Sequence, residues 1–235
     1  MGGPTLGWAI MLRPAALGIL QLANTPMMLV GCLGNPATFD FPVRYRRVTG
    51  AWVDNVVAGD PGIEDAFVAA ARELEQDGVA AITTTCGFAL RHQRAMAAAV
   101  GVPVAASSLL LLPSLLAAAP PGRKIGVLTF DSRHFSAELL PLAGVSEPGR
   151  IVLAGIEDTR SWERMSRPEV EMTGEILERD VLAAVDRLVA GEPALAALLF
   201  ECAGFGPVSA TARRRTGLPV LDAVETARLL MAGVR

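Results

Sequence analysis

Two stretches decide the fold: Gly78-Val-Ala-Ala-Ile-Thr-Thr-Thr-Cys86-Gly-Phe88 and Ala194-Leu-Ala-Ala-Leu-Leu-Phe-Glu-Cys202-Ala-Gly-Phe205. Each is an apolar strand-like run closed by a cysteine and, within two residues, a glycine. The cysteines stand 116 positions apart, and the same spacing separates Gly101-Val-Pro103-Val104 from Gly217-Leu-Pro219-Val220. Upstream, Leu17-Gly18-Ile19-Leu20 resembles Ile125-Gly126-Val127-Leu128 at a spacing of 108, so the halves of a duplicated chain differ by a small insertion or deletion.

Between these anchors the period changes from strand to helix. Ile63 to Gln76 places Phe67, Ala70, Ala71 and Leu74 on one helical face, and Ile176 to Ala190 does the same with Leu177, Val181, Ala184, Val185 and Leu188. Asp77-Gly78 and Gly191-Glu192-Pro193 supply the stop signals. Strands alternating with helices predict an α/β fold of two pseudo-symmetric, doubly wound lobes with parallel sheets and an active site at their interface. The expected lobes are residues 1–108, carrying Cys86, and 109–217, carrying Cys202, with 218–235 rejoining the first.

Composition fits this fold. The chain has 235 residues, 51% hydrophobic and only 19% charged, enough to bury a core and to cover parallel strands on both faces. A net charge of −3 gives no electrostatic case for nucleic acid or an anionic membrane, and Arg213, Arg214 and Arg215 read as a solvated helix end. Leu6 to Leu12 is interrupted by Arg13 and Pro14 and makes a poor signal peptide; Leu109 to Ala119 contains Pro113 and is too short to span a bilayer. The expectation is a cytoplasmic protein with no membrane partner.

Three widely spaced cysteines, Cys32, Cys86 and Cys202, argue against a secreted disulfide framework. Only two histidines, His92 and His134, are present, so no local metal-ligand spacing exists. In parallel α/β sheets ligands bind beyond the carboxyl ends of strands, where Cys86 and Cys202 fall. A helix start after each predicts a modestly lowered thiol pKa. Packing is the other reading of a strand-end cysteine, and Cys32, without a counterpart, reads as packing or loop-lining.

A Cys–His pair is disfavoured because His92, six residues past Cys86 on the following helix, points off the near face. A Cys86–Cys202 redox pair lacks the CxxC arrangement. Two facing thiols can instead remove a proton from carbon and return it, provided donors meet the negative charge that develops on oxygen. Candidate donors and binding residues are Thr84, Thr85, the N–H groups at Gly87, Phe88, Ala203 and Gly204, and Ser107 and Ser108, which alternatively cap the helix beginning at Leu109.

Ile82-Thr-Thr-Thr-Cys86-Gly-Phe88, Phe200-Glu-Cys202-Ala-Gly204, Gly126-Val-Leu-Thr129-Phe-Asp131 and the segment from Gly34-Asn35 to Pro42-Val-Arg44-Tyr45 together resemble the aspartate/glutamate/hydantoin racemase superfamily. The resemblance implies a site between two lobes, no cofactor or metal, and a homodimer. It matches Cys86 and Cys202 to the family's acid/base cysteines. Thr129 and Asp131 match a strand-end segment at the substrate pocket, with helix capping as Asp131's other reading, and Gly34 and Asn35 match a loop beside the site. Arg44, among the alternating apolar residues Phe39, Phe41, Val43 and Tyr45, either holds a substrate carboxylate or is a solvated edge charge.

Amino-acid racemases of the superfamily follow their cysteines with Asn-Thr and Thr-His. Here Gly87-Phe88 and Ala203-Gly204 stand instead, the latter more like hydantoin racemases. The expected function is a cofactor-independent racemase or epimerase acting at a carbon α to a carboxylate or carbonyl of a small substrate. A cofactor-free decarboxylase or cis–trans isomerase on the same scaffold is the alternative, and a non-catalytic small-molecule binding module a third reading.

Overall fold

A computed structural model describes residues 15–234; the apolar stretch Leu6 to Leu12 lies outside them. In chain order the elements are β1 (Leu17–Gln21), β2 (Val43–Arg47), α1 (Val53–Ala58), α2 (Glu64–Gln76), β3 (Ala81–Thr84), α3 (Gln93–Ala99), β4 (Val104–Ala105) and α4 (Leu112–Ala118). The second half continues with β5 (Lys124–Thr129), α5 (Leu139–Leu142), β6 (Ile151–Gly155), α6 (Arg160–Met165), α7 (Gly174–Gly191), β7 (Leu195–Phe200), α8 (Gly206–Thr216), β8 (Val220–Leu221) and α9 (Ala223–Ala232).

These form two four-stranded parallel sheets with orders β2-β1-β3-β4 and β6-β5-β7-β8. The register carries the duplication into space. Gly18 pairs with Ile82 and Ile82 with Val104; at the corresponding places Gly126 pairs with Leu198 and Leu198 with Val220. Gly18 and Gly126 are close-approach sites: a Cβ on Gly18 would lie 3.0 Å from Leu74 Cδ1, and one on Gly126 would lie 2.9 Å from Leu188 Cδ2, each a side chain of the covering helix.

Helix α2 buries Phe67, Ala70, Ala71 and Leu74, and α7 buries Leu177, Val181, Ala184, Val185 and Leu188, the faces expected from their periodicity. On β1, Leu20 joins the large core with α2, whereas Leu17 and Ile19 point to the other face and pack with Ala223, Val224, Ala227 and Met231 of α9. Both faces of the sheet are therefore covered, as a parallel sheet requires.

The lobes exchange their last helices: α4 packs against β5, and α9 returns to β3 and β4. Because β8 still hydrogen-bonds to β7, the return to the first lobe begins at Asp222 rather than at residue 218. Asp222 caps α9, accepting from the Val224 N–H at 2.6 Å. Among the described residues no helix is long and apolar enough to cross a membrane.

Candidate active site

Each lobe places a cysteine one turn beyond a central strand. The chain leaves β3 through Thr85 and Cys86 into a 3₁₀ turn, Gly87–His92, and leaves β7 through Glu201 and Cys202 into α8. Cys86 is half-buried and Cys202 buried. Both line a single cavity of about 100 Å³ between the lobes, together with Cys32 from the loop after β1. Its other walls are mainly apolar: Leu22, Met27 and Phe88 from the first lobe, Phe130, Met165 and Val170 from the second.

The roof is a loop pair tied across the lobes. Asn24 donates through Nδ2 to the Arg167 carbonyl at 2.8 Å and accepts the Val53 N–H at 2.9 Å, while the Thr25 N–H donates to the Pro168 carbonyl. Met27 and Met165 close over the Cys202 turn, where a Cβ on Gly204 would come within 2.8 and 2.9 Å of their methyl carbons.

Of the residues expected at the site, Cys86, Cys202, Thr85, Gly87, Phe88, Ala203, Gly204 and, from the loop beside it, Gly34 meet at the cavity. The others are engaged elsewhere. The Thr84 hydroxyl is bonded to main-chain groups, lying 2.8 Å from the carbonyls of Cys86 and Ala106. Ser107 caps the turn that begins at Ser108, accepting from the Leu109 N–H, and Ser108 donates across the lobes to the Phe200 carbonyl at 2.8 Å. Asp131 accepts from the Arg133 side chain and from Trp162 Nε1, and also caps its own turn. Asn35 caps the Pro36–Thr38 turn, and Arg44 is exposed on edge strand β2. His92 lies inside the first lobe, stacked on Phe67 with a ring separation of 4.8 Å.

Thr129 leads to the residue that sequence reasoning passed over. Its hydroxyl donates at 2.8 Å to Oε2 of Glu201, which also accepts the Phe130 N–H at 3.4 Å. Glu201 is only 1% exposed, lines the cavity, and has no hydrogen-bond partner for Oε1. Burial pushes its pKa up to about 7, against the lowering effects of Thr129, the Phe130 N–H and the Arg91 charge. The signal was present: Glu201 is the one charged residue between Pro193 and Ala203.

Glu201 also explains a departure from the racemase pattern. A Cβ on Gly87 would lie 2.2 Å from Glu201 Oε1 and 2.5 Å from its carbonyl oxygen, so no side chain fits there. Gly87 is the space that the carboxylate of the opposite lobe fills.

The thiols correct one expectation. Burial, then the Glu201 charge, pushes Cys86 up to about 12, although the N–H groups of Phe88 and Ala89 and the Arg91 charge pull the other way. Burial and Glu201 likewise push Cys202 well above the usual thiol range, against the Gly204 N–H. Burial and Asp222 raise Cys32 to about 12. Desolvation and a buried acid thus outweigh the strand-end N–H groups, and the cysteines stand as thiols rather than thiolates. Among the described residues no group of His, Cys, Asp and Glu is placed to hold a metal ion.

No family model matches the sequence. The fold is shared with solved two-lobed enzymes: a Gly74Cys mutant of arylmalonate decarboxylase superposes with a TM-score of 0.60 at 18% identity, covering 93% of this chain and 94% of that one. Allantoin racemase from Klebsiella pneumoniae superposes with a TM-score of 0.62 at 12% identity, covering 94% and 87%. Sequence narrows the class. The chain is 31% identical over 229 residues to a dimethylsulfoniopropionate lyase of Durusdinium sp. clade D, covering 94% of this chain and 76% of the relative, and it belongs to that lyase family. It is 28% identical to dimethylsulfoniopropionate lyase 6 of Emiliania huxleyi, of whose length it spans 60%.

Proposed function

We propose that the chain is a lyase that eliminates the sulfonium group from dimethylsulfoniopropionate or a close analogue, using a thiol of the interlobe cavity as base. The observation that carries this reading is that Cys86 and Cys202, one from each lobe, line the same apolar cavity. The name of the relatives supplies the substrate class, and its chemistry suits the site. The substrate's α-carbon is acidified by the adjacent carboxylate, and its β-carbon bears a cationic leaving group.

In the elimination one cysteine, as thiolate, takes the α-proton. The C–H electron pair becomes the new carbon–carbon double bond, and the carbon–sulfur pair leaves on dimethyl sulfide, with acrylate as the other product. A cation entering the cavity favours the thiolate there, the thiol's proton passing to solvent as substrate binds. Backbone N–H groups at Phe88 and Ala89 are aimed at the Cys86 sulfur and that of Gly204 at the Cys202 sulfur, where they support whichever thiolate forms.

The racemase reading shares this first step and differs in the second, where a thiol returns the proton to carbon. The equivalent placement of the two cysteines favours that alternative. Incubation with dimethylsulfoniopropionate in deuterated water separates them: acrylate and dimethyl sulfide appear if the chain is a lyase. Deuterium gained at the α-carbon without acrylate would instead indicate reversible proton transfer. Loss of both signals in Cys86→Ala and Cys202→Ala is expected, and turnover that survives the double replacement would remove the thiols from the mechanism.

A further inference from the structure

We infer that Glu201 is the counter-charge for the cationic end of the substrate, so that the cavity selects small zwitterions bearing an alkylated onium group over simple carboxylates of the same shape. This rests on the lyase reading for the substrate's chemistry, but it is carried by the cavity itself. Among the described residues no Lys, Arg or His lines it, and the one side-chain carboxylate that does is Glu201. Oε2 is held by Thr129 and Phe130, whereas Oε1 is buried without a partner where the lobes meet at Gly87.

The cation whose charge does act on Glu201, Arg91, is not part of the cavity lining. Arg91 lies over the Phe88 ring, 5.4 Å from its centroid, and its side chain bonds to Glu138 and to the His134 carbonyl. A buried carboxylate facing an apolar cavity leaves unmet charge, and a bound cation meets it.

The kind of cation follows from hydrogen bonding. A primary ammonium brings three N–H donors that need acceptors. Asn24 has both ends of its amide engaged, the Thr85 oxygen accepts from the Leu22 N–H, and Glu201 Oε1 is closed off from solvent, which leaves Gln21 and Thr25 as the remaining lining side chains with an acceptor, fewer than three donors need. A dimethylsulfonium carries its charge with no donors. It needs polarisable apolar walls, here Met27, Met165, Phe88 and Phe130, and a negative charge felt through a medium of low dielectric.

The test uses a pair that cannot undergo the elimination. Dimethylsulfonioacetate and 3-methylbutanoate have the same shape and carboxylate, and differ in a sulfonium sulfur replaced by a CH group. Calorimetry on the full chain should show tighter binding of the sulfonium compound by about tenfold or more. In Glu201→Gln that preference should collapse toward parity while 3-methylbutanoate binds no more weakly than before. Equal binding of the two by the unmodified chain, or a preference that survives Glu201→Gln, overturns the inference.

If the variant does not fold, the unmodified chain still decides. Its preference should fade as pH drops below about 7 and Glu201 takes up a proton, with Cys86, Cys202, Cys32 and Arg91 as the surrounding titratable and charged groups and the thiols protonated throughout. A preference independent of pH from 5 to 8 overturns it. Because neither ligand can be eliminated, these outcomes are separate from the lyase assay: absence of acrylate would remove that activity and leave the binding result standing.

Discussion

Replacing Glu201 with glutamine keeps the side chain's size and removes its charge, so the variant should differ from the parent mainly in how stability depends on pH. The Glu201 pKa rises from 4.5 in the unfolded chain to about 7 in the folded one. Between these values the folded state keeps a proton that the unfolded state has lost, so the free energy of unfolding falls as pH rises. At about 1.4 kcal/mol per pH unit over this interval the loss is complete by pH 8, an order-of-magnitude figure of about 3 kcal/mol. Below about pH 4.5 both states hold the proton and the contribution is flat.

Two other effects accompany this one. Asp222, raised from 3.8 to about 7 by burial and by its bond with Glu225, loses stability in the same direction over nearly the same window. Glutamine at 201, with its oxygen on Thr129 and Phe130, points an amide NH₂ where Oε1 had no partner; an orphaned donor there costs about 1–3 kcal/mol at every pH. The difference between parent and variant therefore isolates Glu201. Urea unfolding at pH 5, 6, 7 and 8 should find the variant the less stable of the two at pH 5, with the gap closing or reversing by pH 8. Parallel stability curves would refute the assignment of a raised pKa to Glu201.

Four further outcomes follow from the same geometry. Gly87→Ala drives a methyl group into Glu201 and should destabilise the fold by about 1–3 kcal/mol; a double-mutant cycle with Glu201→Ala should recover part of that loss. Thiol alkylation at pH 8 should be suppressed about a thousandfold at Cys86 relative to a free cysteine, because a pKa near 12 leaves so little thiolate; labelling at the rate of a free cysteine would contradict the burial argument. Ser108→Ala removes the donor to the Phe200 carbonyl and should cost about 1–3 kcal/mol in urea unfolding. Arg44→Ala, on an exposed edge, should leave both stability and ligand affinity within about 0.5 kcal/mol of the parent.

What could be read from the chain was what recurs in it. The strands ending at Cys86 and Cys202 and the helices α2 and α7 have long apolar patterns that local chemistry dictates. Edge strands β2 and β6 were not read as strands: β2 is Val-Arg-Tyr-Arg-Arg, with two exposed arginines and no continuous apolar run. The cavity roof was equally hidden, since Asn24, Met27, Met165 and Val170 converge from loops far apart in sequence and carry no local signal. Cys86 and Cys202 stood out because they repeat. Glu201 was overlooked because its counterpart, Thr85, does not look like it.

That mismatch is informative about the chemistry. In the first lobe the Leu22 N–H donates to Thr85 Oγ1; at the equivalent place in the second, the Phe130 N–H donates to Glu201 Oε2. The N–H groups of Thr85 and Glu201 likewise donate to Leu20 and Leu128, which correspond. The duplication has kept the backbone contact and changed what lies beyond it: threonine ends there, whereas glutamate carries a second oxygen on to Gly87. Two-base racemisation needs only one acid/base group on each face of a planar intermediate, which the paired thiols supply, and is indifferent to what stands at the substrate's two ends. With a carboxylate set against the cavity at Glu201 and a threonine, Thr85, at the matching position of the other lobe, the two ends of a substrate meet different fields. Such polarity suits a reaction whose substrate is cationic at one end, anionic at the other, and leaves as two unlike fragments.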